Sequence, residues 1–468
     1  MKIELNKELN IRSIEEFARI MLAEEKKEHI KYNIVRTETK IFLTVYSYDL
    51  NREVKFEYEN LGEKVEDQEL TMAKIVLLKL YNKKYPWGSL MGVRPTKVLR
   101  RLLINNCSYI EAREILKNFY LVSDEKIDLM EMVVKKELEL LDKDHINMYI
   151  GIPFCPTKCK YCSFASYEID GGVGRFYKDF VEALLKEIEI MAEFLKNYNK
   201  KISSIYFGGG TPSTLTEEDL ERVLKKLIEK IDLSELKEFT FEAGREDTLN
   251  IKKLELMKKY RVDRISLNPQ SFNIESLKRV NRKLDRDNFD FIFKLAKDLG
   301  FIINMDFIIG LPKETTEDIL NTIEEIKKYD VDNLTIHSLS FKRASKLFKE
   351  EQKREDIDRT LIEQEITKLV KEKKLYAYYM YRQKNIIEWG ENIGYSKLGK
   401  ESIFNIEMIE ENQNTLALGG GGISKVVVEE KKGIDYIERF VNPKDPALYI
   451  KELEKRCLEK IAMFNKYK

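Results

Sequence analysis

Three of the chain's five cysteines fall within eight residues of the stretch "MYIGIPFCPTKCKYCSFAS", Met148 to Ser166: Cys155, Cys159 and Cys162. Thiolates bind zinc and iron–sulfur clusters well. Structural zinc wants four ligands, commonly in CxxC pairs. Here the spacing is C-x3-C-x2-C, no fourth cysteine or histidine lies nearby, and the only histidines are His29, His145 and His337. Three thiolates can instead hold three irons of a four-iron cluster, with the fourth iron open to an exogenous ligand. An open iron makes a cluster reactive, whereas full ligation suits simple electron transfer. Three unligated cysteines, or zinc with a distant fourth ligand, are the competing readings.

Other groups could join such a centre. "YFGGGTPS", Tyr206 to Ser213, follows a strand-like run and precedes a helix beginning near Glu217. Its glycines let the backbone approach a ligand and present N–H groups. Glu242 ends "EFTFE", Gln270 ends "ISLNPQ", and Asp306 sits inside "INMDFIIGLP". Singly, each reads as ordinary turn or capping chemistry. In a parallel strand–helix array, however, all the carboxyl-terminal strand ends meet on one face, where such folds build their sites.

The elements that must position these groups follow that array. Short apolar runs, "NMYIGI", "ISSIYFG", "EFTFEAG", "RVDRISLNPQ", "FIINMDFIIG" and "NLTIHSL", alternate with amphipathic stretches such as "TEEDLERVLKKLIEKI" and "TTEDILNTIEEIKKY". About six strand–helix repeats imply a parallel sheet with helical crossovers, either open or an incomplete barrel. Before them, "KYNIVRTETKIFLTVYSYDLNREVKFEYE" alternates as a small antiparallel sheet does. Helical patterns cover Gln68 to Asn82 and Thr96 to Leu141, with the ordered turn "YPWGSLMGVRPTK" between them. After the array come a charge run, the tyrosine-rich "LYAYYMYRQKNI", the glycine run "LGGGGISK" and the hairpin-like "SKVVVEEKKGIDYIERFV". The expected division is an N-terminal α+β domain over 1–145, the strand–helix array over 146–345 and a C-terminal α+β extension over 346–468.

The 468 residues carry 82 Lys+Arg against 81 Asp+Glu, a net charge of +1 that points to neither nucleic acid nor an acidic membrane surface. No apolar run is long enough to span a bilayer. The amino terminus lacks the apolar segment of a signal peptide. Five cysteines with this spacing do not make a disulfide framework. A cytoplasmic protein with reduced thiols is the expectation.

On these residues the chain resembles the radical S-adenosylmethionine (SAM) superfamily, whose signature is a C-x3-C-x2-C loop after the first barrel strand. "YIGIPFCPTKCKYCSF", "FGGGTPS", "RISLNPQSF", "VNR", "NMDFIIGLP" and "LALGGGGISK" resemble, in order, motifs of the anaerobic coproporphyrinogen III dehydrogenase group. "MGVRPTK", "IHSLSFKRAS" and "GYSKLGKESIFNI" resemble its HemZ-type branch. The resemblance implies a partial (β/α)6 barrel with a [4Fe–4S] cluster on Cys155, Cys159 and Cys162, and SAM chelating the open iron. One electron would cleave SAM to methionine and a 5′-deoxyadenosyl radical. By the same resemblance, Tyr149, Gly209, Gly210, Thr211, Glu242, Gln270, Arg282, Asp306 and Ile308 line the SAM site, with Ile308 on the adenine.

The implied reaction is oxidative decarboxylation of two propionates of coproporphyrinogen III to vinyl groups. Electrons would come from a small donor protein such as ferredoxin or flavodoxin. A tetracarboxylate needs cationic partners, for which Arg94, Lys97 and Arg343 are the candidates. Two features depart from the well-characterised dehydrogenases: Phe164 stands where they have a fourth cysteine, and Gly151 where they have histidine. The haem-chaperone branch carries H-N-x-x-Y-W in its C-terminal part, where this chain reads "FNIEMI", Phe404 to Ile409. Three functions therefore stand side by side: the dehydrogenase, a haem carrier on the same scaffold, and a radical enzyme acting on another tetrapyrrole.

Overall fold

The computed structural model describes residues 2–22, 28–90, 94–164, 166–339, 345–349, 356–382, 390–431 and 434–467. The chain groups into two compact units. One is Met1–Leu138 with Met380–Asn392 and Lys431–Gly433; the other is Glu139–Tyr379, Ile393–Glu430 and Ile434–Lys468.

In the first unit, β1 (Lys2–Leu5), β2 (His29–Arg36), β3 (Lys40–Ser47) and β4 (Arg52–Glu59) form one sheet in that order. The pair β1–β2 is parallel and the others antiparallel. Alternation sets its buried face: Ile30, Tyr32, Ile34, Ile41, Leu43 and Val45 are buried, and the residues between them turn outward. The helical pattern expected from Thr96 to Leu141 is broken into helices Thr96–Ile104, Tyr109–Glu114 and Asp124–Leu140, with a π-turn at Ile115–Phe119. Asn106 and Leu121 adopt positive φ at the breaks. Ser108 restarts the chain with a capping box to Glu111. Trp87, in the expected ordered turn, is buried, and its indole donates to Glu391.

The second unit is built on the expected array. Its strands are β5 (Ile146–Ile152), the short pair β6 (Phe154–Cys155) and β7 (Tyr167–Glu168), then β8 (Ile202–Gly209), β9 (Glu238–Phe241), β10 (Arg264–Ser266), β11 (Ile302–Ile309) and β12 (Asn333–Ser338). Further along lie β13 (Tyr376–Arg382) and β14 (Glu391–Ser396), whose residues 380–382 and 391–392 count with the first unit, then β15 (Asn414–Gly419), β16 (Ile423–Lys431) and β17 (Ile434–Val441). One sheet takes the order β13-β14-β12-β11-β10-β9-β8-β5-β15-β16-β17. The six strands from β12 to β5 are parallel, and β15 adds a seventh beside β5. Antiparallel strands follow at both flanks, and the order has two ends, so the barrel is partial. The residues after 346 thus contribute strands to this same sheet.

Each central strand has two faces. Met148, Ile150, Ile205, Phe207, Phe239, Phe241, Ile265, Ile303, Met305 and Leu334 are buried on one. Burying such a side chain is worth roughly 1.5–3 kcal/mol. Crossover helices such as Glu217–Lys230 and Thr316–Ile326 bring matching apolar stripes, with Leu220, Val223, Leu224 and Leu227 buried on the first. These helices start at side-chain caps, Thr216 and Thr315. The alternate positions are polar: Asn147, Tyr149 and Gly151 on β5 stand in register with Ser204, Tyr206 and Gly208 on β8. Asn304, Asp306 and Ile308 on β11 stand in register with Asn333, Thr335 and His337 on β12. This polar face carries the candidate site residues Tyr149, Asp306 and Ile308. Among the described residues no helix is long and apolar enough to cross a membrane.

Candidate functional site

The cysteine loop leaves the end of β5 and is tied down on all sides. Tyr167 N–H donates to Pro153 O at 2.8 Å and Ile169 N–H to Cys155 O at 2.9 Å, closing the loop at its base. Lys160 N–H donates to Val280 O at 2.9 Å, and Arg245 Nη1 donates to Thr157 Oγ1 at 2.7 Å. Cys155 and Cys159 are buried and Cys162 half-buried, all as free thiols. Burial pushes the Cys155 and Cys162 thiols up, so bound metal is what would hold them as thiolates.

Donors already point at two of the sulfurs. Thr211 Oγ1 donates to Cys155 Sγ at 3.4 Å, and Arg282 Nη1 stands 4.0 Å from Cys159 Sγ. Among the described residues no three His, Cys, Asp or Glu side chains gather closely enough for a single ion. A zinc ion would draw its sulfurs to about 2.3 Å, whereas a four-iron cluster puts each thiolate on a separate iron. Three free thiols at this spacing, one for each of three irons, are the donor set such a cluster takes.

The polar strand face continues from the loop. Tyr149 stacks on Tyr206 with ring centroids 6.2 Å apart, and Tyr206 stacks on Phe404 at 4.6 Å. Glu242 N–H donates to Phe207 O at 2.9 Å, and its carboxyl reaches the Tyr206 hydroxyl. Burial, reinforced by the charge of Asp306, pushes the Glu242 carboxyl up to about 8. Asp306 is equally enclosed, yet its carboxyl is lowered: burial works against ionisation, and hydrogen bonds and charge from His337, Asn304 and Thr335 outweigh it. His337 Nε2 lies 3.8 Å from Asp306, and Asn304 Nδ2 donates to it at 2.8 Å. The face therefore offers one neutral and one ionised carboxyl.

Gln270 extends the row in a left-handed conformation (φ 69°), its carbonyl accepting from Ile308 N–H at 2.8 Å. Its side-chain Oε1, and the Oδ1 of Asn268 two residues earlier, are buried with no hydrogen-bond partner. Two orphaned acceptors at one strand end suit a ligand rich in donors, as SAM is with its ammonium, ribose hydroxyls and adenine amine. Ile308 is half-buried against Val280, Leu311 and Leu339.

Two expectations change in detail. The glycine turn does not present its N–H groups: Gly210 N–H is taken by Ile152 O at 2.8 Å and Thr211 N–H by Phe154 O at 2.7 Å. What Gly209 and Gly210 provide is close approach, because a Cβ on Gly210 would stand 2.5 Å from Phe154 O and 3.0 Å from Cys155 Sγ. Arg282 is buried, with its guanidinium on Gly244 O at 2.8 Å, on Asn268 O and beside Cys159. It braces the cysteine loop rather than standing free for a ligand's carboxylate.

Arg94 and Lys97 belong to the first unit, at the start of helix Thr96–Ile104. Arg343 lies outside the described residues. Phe164 is 63% exposed. Sequence reasoning missed Tyr206, Asn268, His337 and Phe404; the first three occupy the alternate, polar positions of runs already recognised as strands.

Residues 149–326 match the model of the Radical SAM superfamily. The oxygen-independent coproporphyrinogen-III oxidase-like protein HemZ of Bacillus subtilis (strain 168) is 40% identical over 385 residues, 80% of this chain and 76% of that protein. The heme chaperone HemW of Buchnera aphidicola subsp. Schizaphis graminum (strain Sg) is 28% identical over 354 residues, 69% of this chain and 92% of that protein. The structure of coproporphyrinogen III oxidase (HemN) from Escherichia coli superposes with a TM-score of 0.53 at 19% identity, covering 69% of this chain and 73% of that one, which shows a shared fold.

Proposed function

Because the chain belongs to the radical SAM superfamily, in its HemZ-like group, we propose that it converts two propionates of coproporphyrinogen III to vinyl groups without oxygen, giving protoporphyrinogen IX. The superfamily's cofactors are a [4Fe–4S] cluster and SAM. Bound here, they supply one-electron cleavage of SAM and abstraction of a hydrogen atom from the substrate. Each propionate would then give one β-hydrogen atom to the 5′-deoxyadenosyl radical, forming 5′-deoxyadenosine, and lose CO2 together with one electron that passes to an external one-electron acceptor.

The protein's own residues bind and orient. Cys155, Cys159 and Cys162 would hold the cluster, with Thr211 and Arg282 facing the sulfurs of Cys155 and Cys159. Asp306, kept ionised by His337, accepts hydrogen bonds from SAM's ammonium or ribose. Glu242, Gln270 and Asn268 complete the row of acceptors, the carbonyls of the glycine turn face the amino-acid end, and Ile308 packs on the adenine. A ferredoxin- or flavodoxin-type donor supplies electrons, in a cytoplasm that keeps the thiols reduced.

The observation that favours a catalyst over a carrier is the packing of "FNIEMI". Phe404 and Ile406 are buried, Phe404 on Tyr206, and Glu407 accepts from Asp142 N–H at 2.9 Å. The segment that stands in place of the chaperone motif is thus largely spent on the interior: Met408 is its one residue of a type that ligates haem iron, and its Sδ already accepts from Thr415 Oγ1 at 3.8 Å and Lys425 Nζ at 3.9 Å. The test is anaerobic incubation of reconstituted protein with SAM, a reductant and coproporphyrinogen III. Products lighter by one and then two units of CO2 plus two hydrogens, with one 5′-deoxyadenosine per vinyl, support the reading. Abundant 5′-deoxyadenosine with intact propionates assigns another tetrapyrrole, and tight stoichiometric haem binding without turnover assigns the carrier.

A further inference from the structure

Electrons must enter the cluster from outside, and the outer edge of its loop carries mainly one sign of charge. Lys158 and Lys160 lie between the ligating cysteines. The segment "KRVNRK", Lys278 to Lys283, is fastened to them: Lys160 N–H donates to Val280 O at 2.9 Å and Asn281 Nδ2 to Lys158 O at 3.0 Å. Arg279 in turn donates to the carbonyls of Pro312 and Lys313 at 3.2 and 3.1 Å, which brings Lys313 to the same edge. Lys278, Lys283 and Lys313 are exposed, and Lys158, Lys160 and Arg279 half-buried.

Nearby carboxylates are fewer and occupied. Glu275 pairs with Lys278 at 2.7 Å, Glu168 accepts Lys158 N–H at 3.0 Å, and Asp285 caps the helix Arg286–Asp298. With a net charge of +1 over the whole chain, this concentration is local. An apolar contact adjoins it: the Lys158 ammonium donates to Ser166 O at 3.2 Å, two residues from the exposed Phe164.

We propose that this edge, with Phe164 as its apolar anchor, is the docking surface for a small acidic electron-transfer protein. The proposal rests on the radical SAM reading above. A cationic face steers an anionic partner, raising the encounter rate about 10–10³-fold at low salt. Redox encounters need only a small interface. Lys158 and Lys160 flank Cys159 in the chain, so a partner seated on this edge lies against the loop that would hold the cluster.

The test compares the cluster-loaded protein with two triple charge reversals. Lys278→Glu/Lys283→Glu/Lys313→Glu alters the edge; Lys225→Glu/Lys371→Glu/Lys455→Glu changes the same net charge on exposed helix positions elsewhere. Bleaching of the cluster is followed after mixing with reduced flavodoxin, at low and high salt, and separately with titanium(III) citrate. At low salt the edge variant should be reduced by flavodoxin at least about tenfold more slowly than wild type, with a flatter salt dependence. The control should stay within about twofold, and titanium should reduce all three alike. Equal flavodoxin rates in edge and control variants overturn the docking surface alone. So does a loss seen only in tetrapyrrole KM, which would give the edge to substrate carboxylates. Failure of the wild type to take up iron overturns the radical SAM reading, and the docking surface with it.

Discussion

Replacing Glu242 tests the electrostatics of the site most directly. The folded, SAM-free protein holds this carboxyl protonated up to about pH 8, because it is buried and faces Asp306, against an ordinary value of 4.5. Between those two values the folded state binds one more proton than the unfolded state. Stability therefore falls as pH rises through that window, by about 1.4 kcal/mol per pH unit for this one group, and is flat outside it. Glutamine has the same shape and cannot ionise, so Glu242→Gln removes the slope. The variant's gain over wild type should grow by about 1.4 kcal/mol between roughly pH 5.5 and pH 6.5, and level off above about pH 8. Anaerobic urea unfolding of both SAM-free proteins across pH reads this as a diverging midpoint at constant m. SAM brings positive charge to the carboxyl and favours its ionised form. Binding near neutral pH should thus release a proton from wild type and not from the variant, a difference visible by calorimetry in buffers of different ionisation enthalpy. Parallel pH profiles for the two proteins would show that Glu242 is already ionised when folded and would refute the reasoning.

Alanine at Cys155, Cys159 or Cys162 should abolish the dithionite-bleachable absorption of anaerobically reconstituted protein with about four irons; alanine at Cys107 or Cys457 should preserve it, and tight zinc without iron would sink the assignment. Asp306→Ala should keep the cluster and weaken SAM binding by roughly 10–150-fold, the worth of a charge-assisted contact, and unchanged affinity would make Asp306 structural. Arg282→Ala should lower iron content as well as SAM affinity, because its guanidinium joins Gly244, Asn268 and Cys159; full iron with only SAM binding lost would assign it to the ligand alone. Phe404→Ala should destabilise the protein by about 3–5 kcal/mol through the cavity left under Tyr206, read from the shift in unfolding midpoint; a shift worth under about 1 kcal/mol would mean the stack is not packed.

The strands of the array were legible because each carries its own alternation. "EFTFEAG" and "INMDFIIG" place Phe239, Phe241, Met305 and Phe307 on the helix-covered face, and a reader of period two finds Thr240, Glu242, Asn304 and Asp306 opposite them. The cysteine loop was legible from spacing alone. The partners of Arg282 were not, since they are main-chain carbonyls contributed by two other loops, and carbonyls leave no trace in sequence. Nor was the role of Phe404. Only the fold carries its neighbours Ser402 and Ile403 to the buried Glu238, which accepts from both at 2.8 and 2.5 Å. Which strand β15 joins was not legible for a similar reason, since that is decided by long-range pairing.

That pairing explains why two glycine runs about two hundred residues apart occur in one chain. The strand that feeds the cysteine loop, β5, has β8 on one side and β15 on the other. Both neighbours end in glycines at the same level, Gly208–Gly210 and Gly419–Gly422. Gly210 N–H donates to Ile152 O at 2.8 Å, and Gly420 N–H donates to Gly151 O at 3.0 Å. A Cβ on Gly210 would collide with Phe154 O, and one on Gly420 would stand 2.8 Å from Pro153 Cγ. The entry to the cysteine loop is thus gripped from both sides by backbone too close for any side chain. The second grip is itself anchored: buried Glu187 accepts Gly419 N–H at 2.7 Å, Tyr449 Oη at 2.6 Å and the Lys460 ammonium at 2.6 Å. Helix Pro446–Lys466, the last element of the chain, is in this way coupled to Cys155 through four links: Lys460, Glu187, the Gly419–Gly420 turn and Pro153. A cluster held on Cys155, Cys159 and Cys162 with one iron open would give the protein only three bonds with which to hold it, and a loop clamped on both flanks would supply the rigidity that a fourth ligand otherwise provides.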